Sequence, residues 1–128
     1  ICARLEEELA GLPPEEAELF MQEMGIEEPG LQRLVRSTAA LLDLICFITF
    51  NENEARAWRI RRGSTAVQAA GEIHTDFAAH FIRAEVTAFD DFDSAGGEKG
   101  AREQGQTRTE GRDYRVADGD VIYFRIGP

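Results

Sequence analysis

Apolar residues in the first third of the chain recur at helical spacing. Pro14 and the two acidic residues after it are typical of a first helical turn, because proline needs no amide partner there and carboxylates favour the positive helix end. Phe20, Met21 and Met24 then share one face before Gly25. The pattern therefore predicts a short helix, a turn and a second helix. The second helix is predicted from about Pro29, with an apolar stripe of Leu31, Leu34, Val35, Thr38, Leu41 and Leu42.

From Leu44 the spacing changes from helical to strand-like. The run Leu44–Phe50 is β-branched and aromatic and too short for a buried helix, and turn-forming residues follow it at 51–53. Residues 55–61 alternate, with Trp58 and Ile60 on one side and Ala57 and Arg59 on the other. This segment predicts a β-hairpin.

The remaining segments complete a mixed pattern. Thr65 and Gln68 have the spacing of a capping box, so a helix is predicted over residues 66–73. A third strand is predicted at 82–86, and the last strand at 121–126 follows an Asp-Gly turn. The polar stretch punctuated by Gly96, Gly97, Gly100 and Gly105 predicts one short helix at most. A hairpin, a helix across the sheet and a closing strand predict an α+β fold, the β-grasp or ubiquitin-like fold, preceded by a short helical arm.

Composition narrows the class of protein. The formal net charge of the 128 residues is −10, which disfavours a sequence-independent polyanion binder, because phosphate contact needs clustered Lys and Arg. No apolar run approaches the roughly 20 residues of a membrane-spanning helix, and the two cysteines, Cys2 and Cys46, form no CxxC pair. We therefore expect a soluble, cytoplasmic protein without a membrane partner. We also expect it to be a monomer. Because the chain starts at Ile1 without a signal-like segment, we expect it to be a fragment.

Two nucleotide or cation motifs are excluded by their spacing. The stretch Gly96–Gly100 reverses the Lys and Gly order of a phosphate-binding loop. The acidic run at 90–93 resembles the start of a calcium loop, but Ala95 and Arg102 stand where ligands are required. We interpret the acidic run as the start of a helix or a turn.

The histidines offer one alternative function. His74, Asp76 and His80 are the residues with metal-ligand or acid–base potential, so a small metal-binding or hydrolytic domain is the alternative hypothesis. The other interpretation is that His74 and its neighbours end the capped helix and satisfy local backbone groups. No catalytic residue and no metal ligand is assigned on this basis.

Arginines concentrate on the second strand and at its end. They accompany Trp58 in the segment 56–62, and such a group could contact RNA phosphates or an acidic protein surface. Arginine on a strand also serves to keep an edge soluble, so both interpretations stay open. The candidate RNA- or partner-binding residues are Arg56, Trp58, Arg59, Arg61 and Arg62.

At this point the residues resemble a known family. The stretch Glu54-Ala55-Arg56-Ala57-Trp58-Arg59-Ile60-Arg61-Arg62-Gly63 is similar to the C-terminal TGS domain of YchF-type, Obg-like ATPases. The resemblance continues in four further stretches, 69–77, 81–86, 110–114 and 118–124. It therefore covers nearly all of residues 44–128. The helical segment resembles the end of the family's G domain. The resemblance thus divides the chain into 1–43, the helical tail of the G domain, and 44–128, the TGS domain.

The resemblance implies a parent protein that binds and hydrolyses ATP or GTP with Mg²⁺ and associates with ribosomal RNA or protein. It also implies contact with the parent's own G domain, and a regulatory role without hydrolysis by this chain alone. Cys2 and Ala3 stand where the family has its last nucleotide-pocket motif, although a packed strand end is an equal alternative. His80 replaces a glycine that is common in the family, which would be unfavourable if that position needed a positive φ.

Overall fold

The computed structural model describes residues 2–128, and these form two compact units divided between Leu42 and Asp43. The first unit is helical, with α1 (Ala3–Ala10), α2 (Pro14–Glu23) and α3 (Gly30–Leu41). The two helices expected from the apolar pattern are confirmed. Helix α1 was not predicted, and Cys2 before it has extended backbone angles, with φ −103° and ψ 106°.

Packing within the helical unit is sparse. Leu9 is buried, and the Gly30 amide donates a hydrogen bond to Glu6 Oε1 over 2.8 Å, which joins the start of α3 to α1. The apolar stripe of α3 is nevertheless exposed, with 53% of Leu34 and 62% of Val35 accessible. An exposed apolar stripe of this kind is typical of a surface that another protein segment covers.

The second unit is a five-stranded sheet with helices on both faces. Its elements are β1 (Leu44–Phe50), β2 (Ala55–Arg61), α4 (Ala66–Ile73), α5 (Thr75–Ala79), β3 (Phe81–Ala88), α6 (Phe89–Ser94), α7 (Glu98–Glu103), β4 (Arg108–Glu110) and β5 (Asp120–Ile126). The strand order is β2-β1-β5-β3-β4, and β5 runs parallel to β1 and antiparallel to β3. This arrangement confirms the β-grasp fold.

The core lies between the sheet and α4. Both halves of the capping box are present, because the Gln68 amide donates to Thr65 Oγ1 and the Thr65 amide donates to Gln68 Oε1. Three fully buried alanines let α4 approach the sheet closely. Phe47 and Ile122 from the two central strands pack beneath the helix, with exposures of 0% and 1%.

The opposite face of the sheet is covered in part by α6 and α7. The glycine-punctuated stretch 96–105 holds one short helix, α7, as expected, and α6 begins at the acidic run, where a helix start or a turn was expected. The Phe92 ring lies 5.2 Å from that of Phe50 on β1. Gly100 is required where α7 approaches the end of α6, since a Cβ at that position would lie 1.9 Å from the Ala95 carbonyl oxygen.

Two local expectations concern turns. Gly119 has φ +82°, so the Asp-Gly turn before β5 is confirmed. His80 has φ −104°, so the position needs no glycine and the substitution causes no backbone strain. The short helix α5 before it was not predicted.

No helix within residues 2–128 is both long and apolar enough to cross a membrane.

Candidate functional site

The arginines of β2 do not form one surface. Because successive side chains of a strand point to opposite faces, Arg59 and Arg61 lie on the outer face of the sheet. Arg56 lies with Trp58 and Ile60 on the face that carries α4, as the buried Ile60 shows. The candidate binding residues are therefore divided between two surfaces.

Arg59 and Arg61 form the outer basic pair. Both side chains are exposed, and their cross-strand neighbours are the uncharged Cys46 and Leu44. No carboxylate of residues 2–128 lies within 4 Å of either guanidinium, whereas most of the chain's other arginines have one. Since β2 is an edge strand, this pair is a positive surface that an anion can approach without displacing an internal partner.

Arg62 has a local structural role instead. Its Nε lies 3.3 Å from Asp43 Oδ1, and its amide donates to the Asp43 carbonyl oxygen over 2.8 Å. Asp43 has φ +54°, a region that few residues other than glycine adopt. The two contacts therefore hold the start of the sheet together across the first pair of strands.

Arg56 and Trp58 line a groove on the α4 side. The Trp58 indole donates to Thr49 Oγ1 over 2.8 Å, and its ring stacks on Phe47 with 6.4 Å between the centroids. The Arg56 guanidinium lies 5.1 Å from the centre of the indole. Trp58 is thus half-buried and fixed in place, and it lies apart from the outer basic pair.

A second basic cluster lies on the outer face around Glu85. Arg125 Nε lies 3.1 Å from its Oε1 and Arg83 Nη2 lies 3.4 Å from the same atom, while Arg102 contacts Oε2. The hydrogen bond from Arg125 is the main cause that lowers the pKa of Glu85 below its ordinary value of 4.5, with the charge of Arg102 adding to it. Sequence reasoning missed this cluster, because its members come from β3, α7 and β5.

Glu85→Gln is expected to lower the urea midpoint of unfolding at pH 7 and to have little effect at pH 3. The folded-state pKa of Glu85 is depressed, so its contribution is present above the unfolded-state pKa and is lost as the pH falls through the folded value. The measurement is a pair of urea unfolding curves for each protein, one at each pH.

Glu103→Gln is the matched control, because that carboxylate is 67% exposed and lies 3.9 Å from Lys99. Exposed pairs of this kind contribute about 0–1 kcal/mol. An equal loss in Glu85→Gln at both pH values would contradict the role assigned to the ionised carboxylate.

The histidine alternative is not supported by the geometry. His74 Nδ1 accepts a hydrogen bond from the Asp76 amide over 3.1 Å, and so caps α5. His80 Nδ1 lies 3.0 Å from the Asp76 carbonyl oxygen. Within the part of the chain that the structure describes, no three His, Cys, Asp or Glu side chains are arranged to hold a metal ion. The residues present therefore do not fit a metal centre.

The two residues predicted to contact a nucleotide lie at the start of the helical unit. Cys2 is the N-terminal cap of α1 and makes no side-chain capping bond, and Ala3 is the first helical residue. Both are exposed. Their contact with a nucleotide stays a prediction.

Comparison with known proteins shows the family of the chain. Residues 44–127 match the model of the YchF GTPase C-terminal region, which is described as a protein of unknown function. The match covers well over half of the chain. The chain belongs to the YchF family.

Several relatives share this region. The chain is 52% identical over 126 residues to the "Ribosome-binding ATPase YchF" of Haemophilus influenzae, which covers 98% of this chain and 35% of that protein. It is 46% identical to the protein of the same name from Bacillus subtilis, with 98% and 34% covered. The structure of the Schizosaccharomyces pombe YchF GTPase superposes with a TM-score of 0.80 at 32% identity, covering 93% of this chain and 31% of that one. The chain thus spans about a third of the curated YchF relatives that it matches.

Proposed function

We propose that this chain is the ribosome-docking and regulatory part of a YchF-type nucleotide hydrolase, with its sheet unit acting as a TGS domain. The name of the bacterial relatives, ribosome-binding ATPase, supports this role. The ribosome offers RNA phosphates and acidic protein surfaces, and both are recognised by unpaired guanidinium groups.

The observation that carries the proposal is the outer basic pair, Arg59 and Arg61. The two guanidiniums project from the same face of an edge strand and have no carboxylate partner within residues 2–128. A docking surface needs such uncompensated charge, because a guanidinium already paired internally would lose that pair on binding. The arginines around Glu85 are already paired with its carboxylate, so they are poorer candidates for binding the ribosome.

We also propose that nucleotide hydrolysis belongs to a G domain outside these 128 residues, which would hold ATP or GTP with Mg²⁺. In this proposal residues 1–43 are the helical tail of that domain and Cys2 and Ala3 approach its nucleotide. The exposed stripe on α3 supports the assignment of residues 1–43 to that domain. Leu31, Leu34 and Val35 form an exposed apolar surface, which is typical of a site that another protein segment covers. The parent protein is proposed to act as a cytoplasmic monomer.

The test is co-sedimentation of the full-length protein with ribosomes after Arg59→Glu and Arg61→Glu. Loss of two phosphate contacts and the added repulsion are expected to weaken binding about tenfold or more. The slope of log affinity against log salt should also fall by about 1–2, in proportion to the contacts removed.

A double variant with the same charge change, Arg33→Glu and Lys99→Glu, is the control, because both residues are exposed and lie on other elements. It should bind ribosomes nearly as well as the unaltered protein. Equal weakening in the two double variants would mean that total charge, and not the outer basic pair, controls the association.

A further inference from the structure

The central strand β5 has an unpaired edge in the middle of the sheet. On one side it pairs with β3 along nearly its whole length, from Asp120 to Ile126. On the other side it pairs with β1 only at Asp120 and Val121. β1 continues to Phe50, but no strand pairing with this side follows Val121 within residues 2–128, so part of the backbone of residues 122–126 has no strand partner there.

Beside this edge lies a groove with a volume of about 460 Å³. It is lined by the β1–β2 hairpin and β5, and Ile73 and Phe77 from α4 and α5 border it opposite the sheet. Its sheet side includes Trp58, Phe124 and Ile126, while Arg56 and Glu54 lie among its polar residues. The groove is therefore apolar along a free strand edge and charged near the hairpin.

We propose that this groove binds an extended segment of a partner protein, which adds to β5 as a further strand. Five residues of strand span about 17 Å, and every second one presents an N–H and a C=O to the free side. An extended peptide satisfies these groups and places alternate side chains against the apolar residues. This binding site does not depend on the outer basic pair, which lies on the opposite face.

The charges select the kind of segment. Arg56 is exposed and has no carboxylate within 4 Å among the described residues, so it can pair with one acidic side chain of the bound segment. Glu54 near it disfavours a run of several acids. The partner segment thus has apolar residues at alternate positions and a single Asp or Glu beside the hairpin.

A nucleic-acid base is a poorer occupant. Bases bind exposed aromatic faces by stacking, whereas the Trp58 ring already has Phe47 and Arg56 against it. The strand edge also offers a row of backbone groups, which matches peptide chemistry and not that of a stacked base.

Trp58 is the only tryptophan of the chain and lines the groove, so its fluorescence reports occupancy. The probes are synthetic heptapeptides with Val, Ile, Leu or Phe at alternate positions, Thr between them and one terminal Glu. We expect at least one to change the Trp58 emission saturably in the micromolar range. N-methylation of the backbone amides on one side of that peptide should weaken binding at least tenfold, and methylation on the other side should not.

Two matched protein variants locate the site. Ile126→Arg fills the groove, and Ile82→Arg makes the same change on β3 away from it; the two side chains are 40% and 57% exposed, so neither change disrupts the core. The proposal requires at least tenfold weaker peptide binding in the first variant and little change in the second. Absence of saturable binding by every peptide, equal binding by both N-methylated forms, or equal binding by both variants would overturn it. Saturable quenching by oligouridylate without peptide binding would assign the groove to RNA instead.

Discussion

Phe47→Ala is expected to lower the free energy of unfolding of the sheet unit by about 3–5 kcal/mol. Phe47 is 0% exposed and packs beneath α4 at the centre of the core. Its ring stacks on Trp58 and meets Phe124 edge-on, with centroids 6.0 Å apart in the second pair. Truncation removes these aromatic contacts and leaves a cavity that surrounding strands cannot fill without losing their pairing.

Urea unfolding followed by circular dichroism measures this effect, because the emission of Trp58 itself depends on its contact with Phe47. Phe89→Ala is the matched control: it makes the same chemical change at a residue that is 47% exposed. We expect it to cost about 1 kcal/mol or less. A loss below about 1 kcal/mol in Phe47→Ala would contradict the central position of this ring in the core.

Asp120→Ala is expected to cost about 3 kcal/mol, the second-largest effect. Asp120 is only 3% exposed, and its Oδ2 accepts hydrogen bonds of 2.8 Å from the Tyr114 hydroxyl and the Ala117 amide. Truncation leaves both donors without this acceptor in a largely buried place. Burial and the hydrogen bond to Asp120 also raise the pKa of Tyr114 above 10.0, so the same variant should lower that pKa in a spectroscopic titration.

A double-mutant cycle with Tyr114→Phe isolates the carboxylate–hydroxyl contact. The two single changes share one hydrogen bond, so the double variant should lose about 1–2 kcal/mol less than their sum. Asp118→Ala is the matched control, because that side chain is exposed and accepts one bond from the Cys46 amide. Strict additivity of Asp120→Ala and Tyr114→Phe would show that the contact contributes nothing to stability.

The candidate site was only partly predictable from the sequence. The strand period already separates Arg56 from Arg59, so the division of the basic residues between two faces follows from the spacing once β2 is assigned. Which face would be covered could not be read from β2 alone, because that depends on where α4 packs. The ion pair between Arg62 and Asp43 could not be predicted either, because it depends on the register of the two strands of the hairpin.

Two helices were missed for a related reason. Helix α5 has five residues and is capped by the His74 ring, a contact too local and too short to leave an apolar period. Helix α1 carries three consecutive glutamates, and its single buried residue is Leu9. Such segments become helical in their tertiary setting and show no strong pattern of their own.

The sequence by itself determined the elements whose signals lie within a few residues: the β1–β2 hairpin, the capping box of α4, the Asp-Gly turn and hence the β-grasp order. Only the tertiary structure decided which distant residues meet. Glu85 contacts arginines from three elements, Asp120 accepts a hydrogen bond from Tyr114, and β1 pairs with β5 at two residues, beside the groove. The physical reason is that propensity and periodicity act along neighbouring residues, whereas these contacts join segments brought together by burying a common core.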